Sequence, residues 1–279
     1  MINAKKIRRI TFQTFGYFIL GVTAIFCVYP ALWVLMSSFR PGDSLYGETL
    51  IPTAFTLIHY EELFVKYPFI QWYGNTLKIS ILSMMIGTML VLMTGYVLSM
   101  FRFKGRKNLM STLLVLGLFP GFMSMIAIYV LLNQMNLLNT HAAVIIVSAA
   151  GAPLFFLYSK SYFDTIPRSL IEAARIDGAG HLGIFFGIVM PLSKPLLVFA
   201  VLMNFTGPFT DFIFSKLVLR TSEKKTLAVG LYDMMTDKTK SQFTMFAAGC
   251  VLIAVPITLL FLFLQRYLIE GLTSGAEKG

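Results

Sequence analysis

The chain has 279 residues, of which 57% are hydrophobic and 13% are charged, about half the charged share of an ordinary soluble domain. Its mean hydropathy is +0.75. These proportions exclude a disordered chain, a coiled coil and an ordinary soluble enzyme, and they make lipid the natural surroundings of the apolar residues. The net charge is +10. Because most basic residues lie between long apolar runs, we interpret them as topology signals and expect no nucleic-acid partner.

Six apolar runs are long enough to cross a bilayer, which requires about 20 helical residues. Backbone groups in lipid must be hydrogen-bonded internally, so these runs predict helices. We therefore predict an all-α membrane protein with six transmembrane helices. Several runs contain Pro or Gly, which indicates kinks between packed helices or the edge of a pathway. In chain order the predicted spans are 12–37, 76–100, 109–132, 142–158, 196–219 and 244–268.

The distribution of Lys and Arg predicts the orientation of the chain in the membrane. Four basic residues lie within residues 1–11, and four more lie within the loop 101–108 after the second predicted span. Cytoplasmic segments of membrane proteins carry an excess of such residues. We predict that both termini are cytoplasmic, with tails at 1–11 and 269–279 on either side of a six-helix domain at 12–268.

The loop 163–194, between the fourth and fifth predicted spans, differs from the other loops because it contains its own helix signals. Ser169 followed by Glu172 has the spacing of a capping box, and Gly178 suits the left-handed position that ends a helix. These signals predict a helix at 170–177, about 12 Å long.

One face of this predicted helix suits close contact with another surface. Leu170, Ala173, Ala174 and Asp177 share that face by their i, i+3, i+4, i+7 spacing. Two alanines on it allow a partner surface to approach closely. From the residues alone, two interpretations stay open: a docking helix, and an amphipathic helix lying at the membrane interface.

The same loop resembles a known family. Glu172-Ala173-Ala174 and Asp177-Gly178-Ala179, followed by Ile188 and Pro191, resemble the EAA signature of the membrane subunits of binding-protein-dependent ABC importers. In that family this loop is the coupling helix, which fits a groove on the ATP-hydrolysing subunit and transmits its motion to the spans. The resemblance implies the type I ABC importer permease fold. It also implies contacts with the ATPase at Glu172, Ala173, Ala174, Asp177 and Gly178.

The resemblance extends over the whole chain and narrows to the smaller permease subunit of maltose-type importers. The six-span layout, the segment TLAVGLYD and the ending QRYLIEGLTSGAEKG carry it. It implies a multi-pass protein of the bacterial cytoplasmic membrane that imports an oligosaccharide, such as a maltodextrin, by alternating access. The implied partners are a homologous larger permease subunit, two ATPase subunits and an extracellular sugar-binding protein.

Two segments gain a role only from this resemblance. The C-terminal tail is expected to reach between the ATPase subunits, and the outer loop 220–242 is expected to touch the binding protein. A solvated loop remains the alternative for 220–242. For the chain as a whole, the alternatives are an ABC importer permease for another solute, such as a galacto-oligosaccharide or another sugar, and a secondary carrier.

Several kinds of chemistry have no matching motif. The pattern GxxxxGK[ST] is absent, so we expect ATP and Mg²⁺ to bind a separate ATPase subunit and this chain to carry no cofactor of its own. His59, His141 and His181 have no metal-ligand spacing. Asp211 is the main acidic residue within a predicted span, and either a proton relay or the ordering of a loop would explain it. No substrate residues are assigned, because in maltose-type systems the sugar site lies mainly in the partner permease.

Overall fold

The structure, a computed structural model, describes residues 4–43, 49–236 and 242–276, with side chains from residue 11 to residue 269 within those ranges. The described residues form helices, turns and connecting loops, and no strand occurs among them. The predicted all-α class is therefore confirmed. The chain divides into two compact units, Met1–Tyr67 with Asp233–Ala254, and Pro68–Tyr232 with Val255–Gly279.

The first unit contains α1 (Ala4–Ser37), α2 (Ile58–Lys66) and the first turns of α14 (Phe243–Ala276). The most apolar stretch of α1 buries none of its residues within the described chain. The turn after α1 is held by polar contacts. Nε2 of His59 lies 2.7 Å from the carbonyl oxygen of Arg40, and Oγ1 of Thr244 donates a 2.8 Å hydrogen bond to the carbonyl of Gly42.

The second unit is built around α3 (Phe69–Met100), which packs against α6 (His141–Ala150), α7 (Pro153–Phe163) and α11 (Lys194–Thr210). Small residues of α3 allow this close packing. The remaining helices of this unit are α4 (Arg106–Leu118), α5 (Gly121–Gln134), α8 (Arg168–Ile176), α9 (His181–Ile184), α10 (Met190–Leu192) and α12 (Ile213–Val218), together with α13 (Leu227–Thr236) up to Tyr232. A π turn at Phe185–Val189 joins α9 to α10.

Three predicted spans are continuous helices. Thr11–Ser37, Phe69–Met100 and Phe243–Ile269 are each long and apolar enough to cross a membrane. They coincide with the first, second and sixth predicted spans, and the second begins seven residues earlier than predicted, at 69 instead of 76. Pro30 lies inside the first of these helices and Pro256 inside the last, and neither residue interrupts its helix.

The third and fourth predicted spans are each two helices. The axes of α4 and α5 differ by 107°, and those of α6 and α7 differ by 42°. At the first break Phe119 is extended, with ψ 135°, as expected for the residue before Pro120. At the second break Gly151 has φ +65°, which only glycine adopts at low cost.

The prediction of the fifth span as one continuous helix is wrong. Residues 181–192 and Lys194–Thr210 meet at 87°, and α11 ends at Thr210 instead of continuing to residue 219. Asp211 lies directly after α11 and two residues before α12 begins. Its carboxylate accepts hydrogen bonds from the backbone N–H groups of Phe214 and Ser215, at 3.2 and 3.1 Å, and from Oγ of Ser215 at 2.8 Å. These contacts support the loop-ordering interpretation of Asp211.

Candidate functional site

The predicted helix of the loop 163–194 exists, but it begins differently. α8 starts at Arg168 after Pro167, and no side chain in the described part of the chain caps its first turn. The predicted capping box is therefore wrong. Pro167 has φ −57°, already close to the helical value, so the helix starts one residue before Ser169. A serine inside the first turn no longer occupies the capping position.

The predicted end of the helix at Gly178 is confirmed. Gly178 has φ +86°. The N–H of Ala179 donates to the carbonyl of Ala174 at 2.9 Å, and the N–H of Gly178 donates to the carbonyl of Arg175 at 3.0 Å. This pair of hydrogen bonds is a Schellman motif, which satisfies the last carbonyl groups of a helix.

The two faces of α8 have different surroundings. Ile171 and Ala174 are only 4% and 8% exposed. They belong to a hydrophobic core with Phe163, Ile184 and Leu196, among others. This core joins α8 to α3, α7, the π turn and α11, so a displacement of α8 is resisted by the helices around it.

The exposed stripe of α8 consists of Leu170, Ala173, Ile176 and Asp177, all of which face away from this core. The prediction that Ala174 lies on the exposed face is therefore wrong. Burial of the larger side chain of Ile171 gains more free energy, and Ala174 is buried with it because the two residues share one face of the helix. Glu172 is also exposed. Ile176, to which no sequence motif drew attention, is 86% exposed. The sequence signal that could have found it is an apolar residue directly before the Asp-Gly pair that ends the helix.

Polar contacts tie the start of the loop to α3. Oγ of Ser99 donates to Oδ1 of Asp164 at 2.6 Å, and Lys160 forms an ion pair with the same carboxylate. Partial burial raises the pKa of Asp164, but the hydrogen bonds from Lys160 and Ser99 and the positive charges of Lys160 and Arg106 outweigh it and lower the pKa. The carboxylate is therefore held in its charged form.

The other end of the loop also contacts α3 and the chain just after it. The rings of Phe101 and His181 lie 4.5 Å apart, and the hydroxyl of Tyr96 lies 3.5 Å from the carbonyl oxygen of His181. α8 is thus a short helix with both of its flanks attached to the largest helix of the second unit, and with an apolar stripe that the described chain leaves uncovered.

The sequence of this region matches a known family. The family described as "Binding-protein-dependent transport system inner membrane component" matches residues 87–274, which include all of α8. The chain belongs to this family.

Similar permeases of this family share most of their length with the chain. The galactooligosaccharides transport system permease protein GanQ of Bacillus subtilis (strain 168) is 40% identical over 100% of both chains. The maltodextrin transport system permease protein MdxG of the same organism is 39% identical, covering 94% of this chain and 95% of its own. MalD, the maltodextrin permease of Streptococcus pneumoniae, is 36% identical over 100% of both. The resemblance inferred from the EAA segment is therefore confirmed.

Solved structures show the same fold. A bacterial ABC transporter involved in the import of the acidic polysaccharide alginate superposes with a TM-score of 0.80 at 23% identity, covering 96% of this chain and 99% of its own. The bacterial alginate transporter in complex with an alginate pentasaccharide-bound periplasmic protein gives 0.65 at 17% identity, covering 94% and 95%. This permease therefore has the all-helical fold of type I importers.

Part of the predicted functional segments of this permease lies outside the described residues. Residues 237–241 of the outer loop 220–242 and residues 277–279 of the C-terminal tail belong to this group. Among the described residues, no three His, Cys, Asp or Glu side chains are close enough to hold a metal ion.

Proposed function

We propose that the chain is the permease subunit of an importer that carries an oligosaccharide across the bacterial cytoplasmic membrane by alternating access. The single observation that carries this proposal is the likeness to galactooligosaccharide and maltodextrin permeases at 36–40% identity over nearly the full chain. A maltodextrin is the first candidate. A galacto-oligosaccharide is the second, favoured by the 40% identity to GanQ.

We further propose that α8 docks into a separate ATPase subunit. The exposed stripe supports this, because an apolar surface on a short helix gains free energy when a partner covers it. Glu172, Ala173 and Asp177 would contact the ATPase directly. Ala174 would not contact the ATPase but would pack in the hydrophobic core and so hold the helix in position. Gly178 would provide the left-handed backbone conformation that ends the helix. ATP and Mg²⁺ would bind the ATPase, which would supply the energy for transport.

The proposed topology counts each bent helix pair as one span. Three long helices and three bent pairs then give six crossings, with both termini and α8 on the cytoplasmic side. Residues 1–11 and 269–279 would be cytoplasmic tails of the permease domain 12–268. A cysteine at Gly105 should therefore react with impermeant thiol reagents only from the cytoplasmic side, and reaction from outside would overturn the orientation.

The proposed assembly contains a homologous larger permease, two ATPase subunits and an extracellular sugar-binding protein. The alginate transporter in complex with a pentasaccharide-bound periplasmic protein supports the last of these. The outer loop 220–242 is the proposed contact for the binding protein, and the C-terminal tail is the proposed contact between the ATPase subunits.

Crosslinking from α8 tests the docking proposal. In a chain without Cys27 and Cys250, single cysteines at Ala173 and Ile176 should crosslink to the ATPase during turnover. The matched control is Ile171→Cys, because its side chain faces the core on the same helix. The Ile171→Cys control should not crosslink. Absence of crosslinks from both Ala173→Cys and Ile176→Cys, in an importer that transports maltotetraose, would contradict the docking role of α8.

A further inference from the structure

A groove of about 630 Å³ opens between α6, α7 and α11 in the second unit. Its volume is within the range of ~300–1,000 Å³ typical of small-molecule sites. We call it the midspan groove, and its lining includes Gly151, Phe155, Tyr158, Phe199, Asn204 and Asp211.

The wall of the midspan groove is aromatic. The rings of Phe155 and Phe199 are 5.5 Å apart in an edge-to-face arrangement, and the ring of Tyr158 is 5.7 Å from that of Phe199. Tyr158 is 52% exposed in the chain, so its ring is open to a ligand. Aromatic rings of this kind offer flat apolar surface together with one hydroxyl group.

Polar groups reach the same groove at the depth of a membrane crossing. The break at Gly151 lies between the 10 residues of α6 and the 11 residues of α7, near the middle of their joint span. It leaves the last carbonyl groups of α6 without donors from a continuing helix. Broken backbone at this depth is tolerated where it is buried in protein or lines a hydrated cavity, and Gly151 lines the groove.

Asn204 adds a second polar group. It is 7% exposed, and its Nδ2 donates to the carbonyl of Ala200 at 2.9 Å and contacts Oγ1 of Thr88 at 3.5 Å. No hydrogen bond from the described residues reaches its Oδ1. Gly87 makes room for this amide, because a Cβ there would lie 2.5 Å from Oδ1. Because Asn204 lines the groove, its amide oxygen can accept a hydrogen bond from a hydroxyl group of water or of a ligand.

The charge of the groove limits the class of ligand that can bind there. Among the described residues that line it, Asp211 is the one acidic or basic side chain, and its carboxylate already accepts backbone and hydroxyl hydrogen bonds from Phe214 and Ser215. An anionic solute would be repelled by the carboxylate of Asp211, and a lipid tail would offer no donor to the amide oxygen of Asn204. A neutral molecule with apolar CH faces and many hydroxyl groups satisfies both the aromatic wall and the polar groups.

We propose that the midspan groove is a sugar-binding surface of this chain, where Tyr158 and Phe199 stack on a pyranose ring and Asn204 accepts a hydrogen bond from a sugar hydroxyl. The proposal rests on the proposed oligosaccharide import. It adds a sugar contact on this subunit, where the family resemblance assigned none.

Protection of a cysteine by sugar tests this surface directly. The importer with Phe199→Cys, in a chain with Cys27→Ser and Cys250→Ala, is reconstituted with its partner subunits in liposomes. A charged thiol reagent should react with it, and saturating maltotetraose or galactotetraose with binding protein and ATP should slow that reaction about tenfold or more. The control is Leu259→Cys, an exposed apolar position on α14, whose reaction rate should not depend on sugar.

Uptake kinetics give a second readout. Tyr158→Leu keeps much of the side-chain volume and removes the aromatic face, and it should raise the KM of uptake about threefold to tenfold, as expected for the loss of one stacking contact. The control Phe261→Leu, on the exposed side of α14, should leave KM unchanged.

The outcomes separate the two proposals. A wild type that imports sugar, together with sugar-independent labelling at Phe199→Cys and unchanged KM for Tyr158→Leu, would overturn the groove assignment alone. Loss of the partner permease on purification of both variants would assign the groove to a subunit interface and overturn it too. A wild-type importer that carries neither sugar would overturn the proposed function, and the groove assignment with it.

Discussion

Oγ of Ser99, in the last turn of α3, donates a 2.6 Å hydrogen bond to Oδ1 of Asp164, the residue directly after α7. Lys160, one turn earlier, forms an ion pair with the same carboxylate. The contact joins the start of the loop that carries α8 to a helix 65 positions earlier in the chain. It is therefore a point at which pH can affect how firmly the loop is attached.

The pH dependence of this contact has a definite sign. The folded-state pKa of Asp164 is lowered, so the carboxylate stabilises the folded chain fully above its unfolded pKa of about 4 and loses that contribution as pH falls through the lower folded value. We expect the thermal midpoints of wild type and Asp164→Asn to differ at pH 7 and to converge below about pH 4. Tryptophan fluorescence of the detergent-purified chain would measure both. A difference that stays constant over this range would contradict the prediction.

Gly178→Ala tests the backbone at the end of α8. A Cβ there would meet no atom within 4 Å, so its cost comes from φ +86° alone. That cost is about 1–2 kcal/mol, and it should speed hydrogen exchange of residues 174–179 about fivefold to thirtyfold. Gly180→Ala is the matched control, because Gly180 has φ −72° and equally open surroundings. Equal exchange in the two variants would show that the left-handed position is not under strain.

Two isoleucines of α8 separate folding from docking. Ile171→Ala should lower the free energy of unfolding by about 2–5 kcal/mol, because its side chain is buried. Ile176→Ala should leave the stability of the isolated chain unchanged and weaken its binding to the ATPase subunit. Thermal unfolding and a binding titration of the purified subunits measure the two effects. Unchanged ATPase affinity for Ile176→Ala would count against docking through this side chain.

The packing of α3 on α7 depends on a glycine. A Cβ on Gly95 would overlap Oγ of Ser159 and lie 3.0 Å from the backbone nitrogen of Lys160, so Gly95→Ala must push the helices apart. We expect a lower unfolding temperature and a lower yield in the membrane. Gly74→Ala, in open space on the same helix, should instead be neutral or stabilising by up to about 1 kcal/mol. Wild-type stability of Gly95→Ala would disprove the close contact.

Asn139 anchors the segment after α12. It has φ +59°, and its Oδ1 accepts hydrogen bonds from the N–H groups of Arg220 and Thr221 at 3.0 and 3.2 Å. Asn139→Gly and Asn139→Ala both remove the acceptor. Asn139→Gly also removes the Cβ from the left-handed region, whereas Asn139→Ala keeps a Cβ there without the side-chain amide that lets asparagine tolerate this conformation, so we expect Asn139→Ala to be less stable than Asn139→Gly by about 1 kcal/mol. Trypsin, which cuts after Arg220, Lys224 and Lys225, would report the loosening.

The control for this series is Asn136→Gly, since Asn136 has φ +55° and lies in the same connection. It should leave the rate of cleavage after Arg220 unchanged. Equal rates for Asn139→Gly, Asn139→Ala and wild type would mean that other contacts hold the segment.

Local chemistry allowed much of this protein to be predicted from its sequence. The apolar runs predicted the long helices, because a run of such residues needs lipid or protein cover wherever it lies. Gly178 predicted the end of α8, because the left-handed conformation is a property of that residue and its neighbours. The EAA segment identified the family, because its acidic, small and Asp-Gly positions are adjacent in the chain.

Contacts between distant residues decided the rest. Ile171 took Ala174 into the core only because Phe163, Ile184 and Leu196 surround them, and no spacing within α8 contains that information. The midspan groove arises in the same way, since Gly87 on α3 makes room for the amide of Asn204, 117 positions later on α11. Burial depends on which helices meet and at what angle, and the tertiary structure alone decides this.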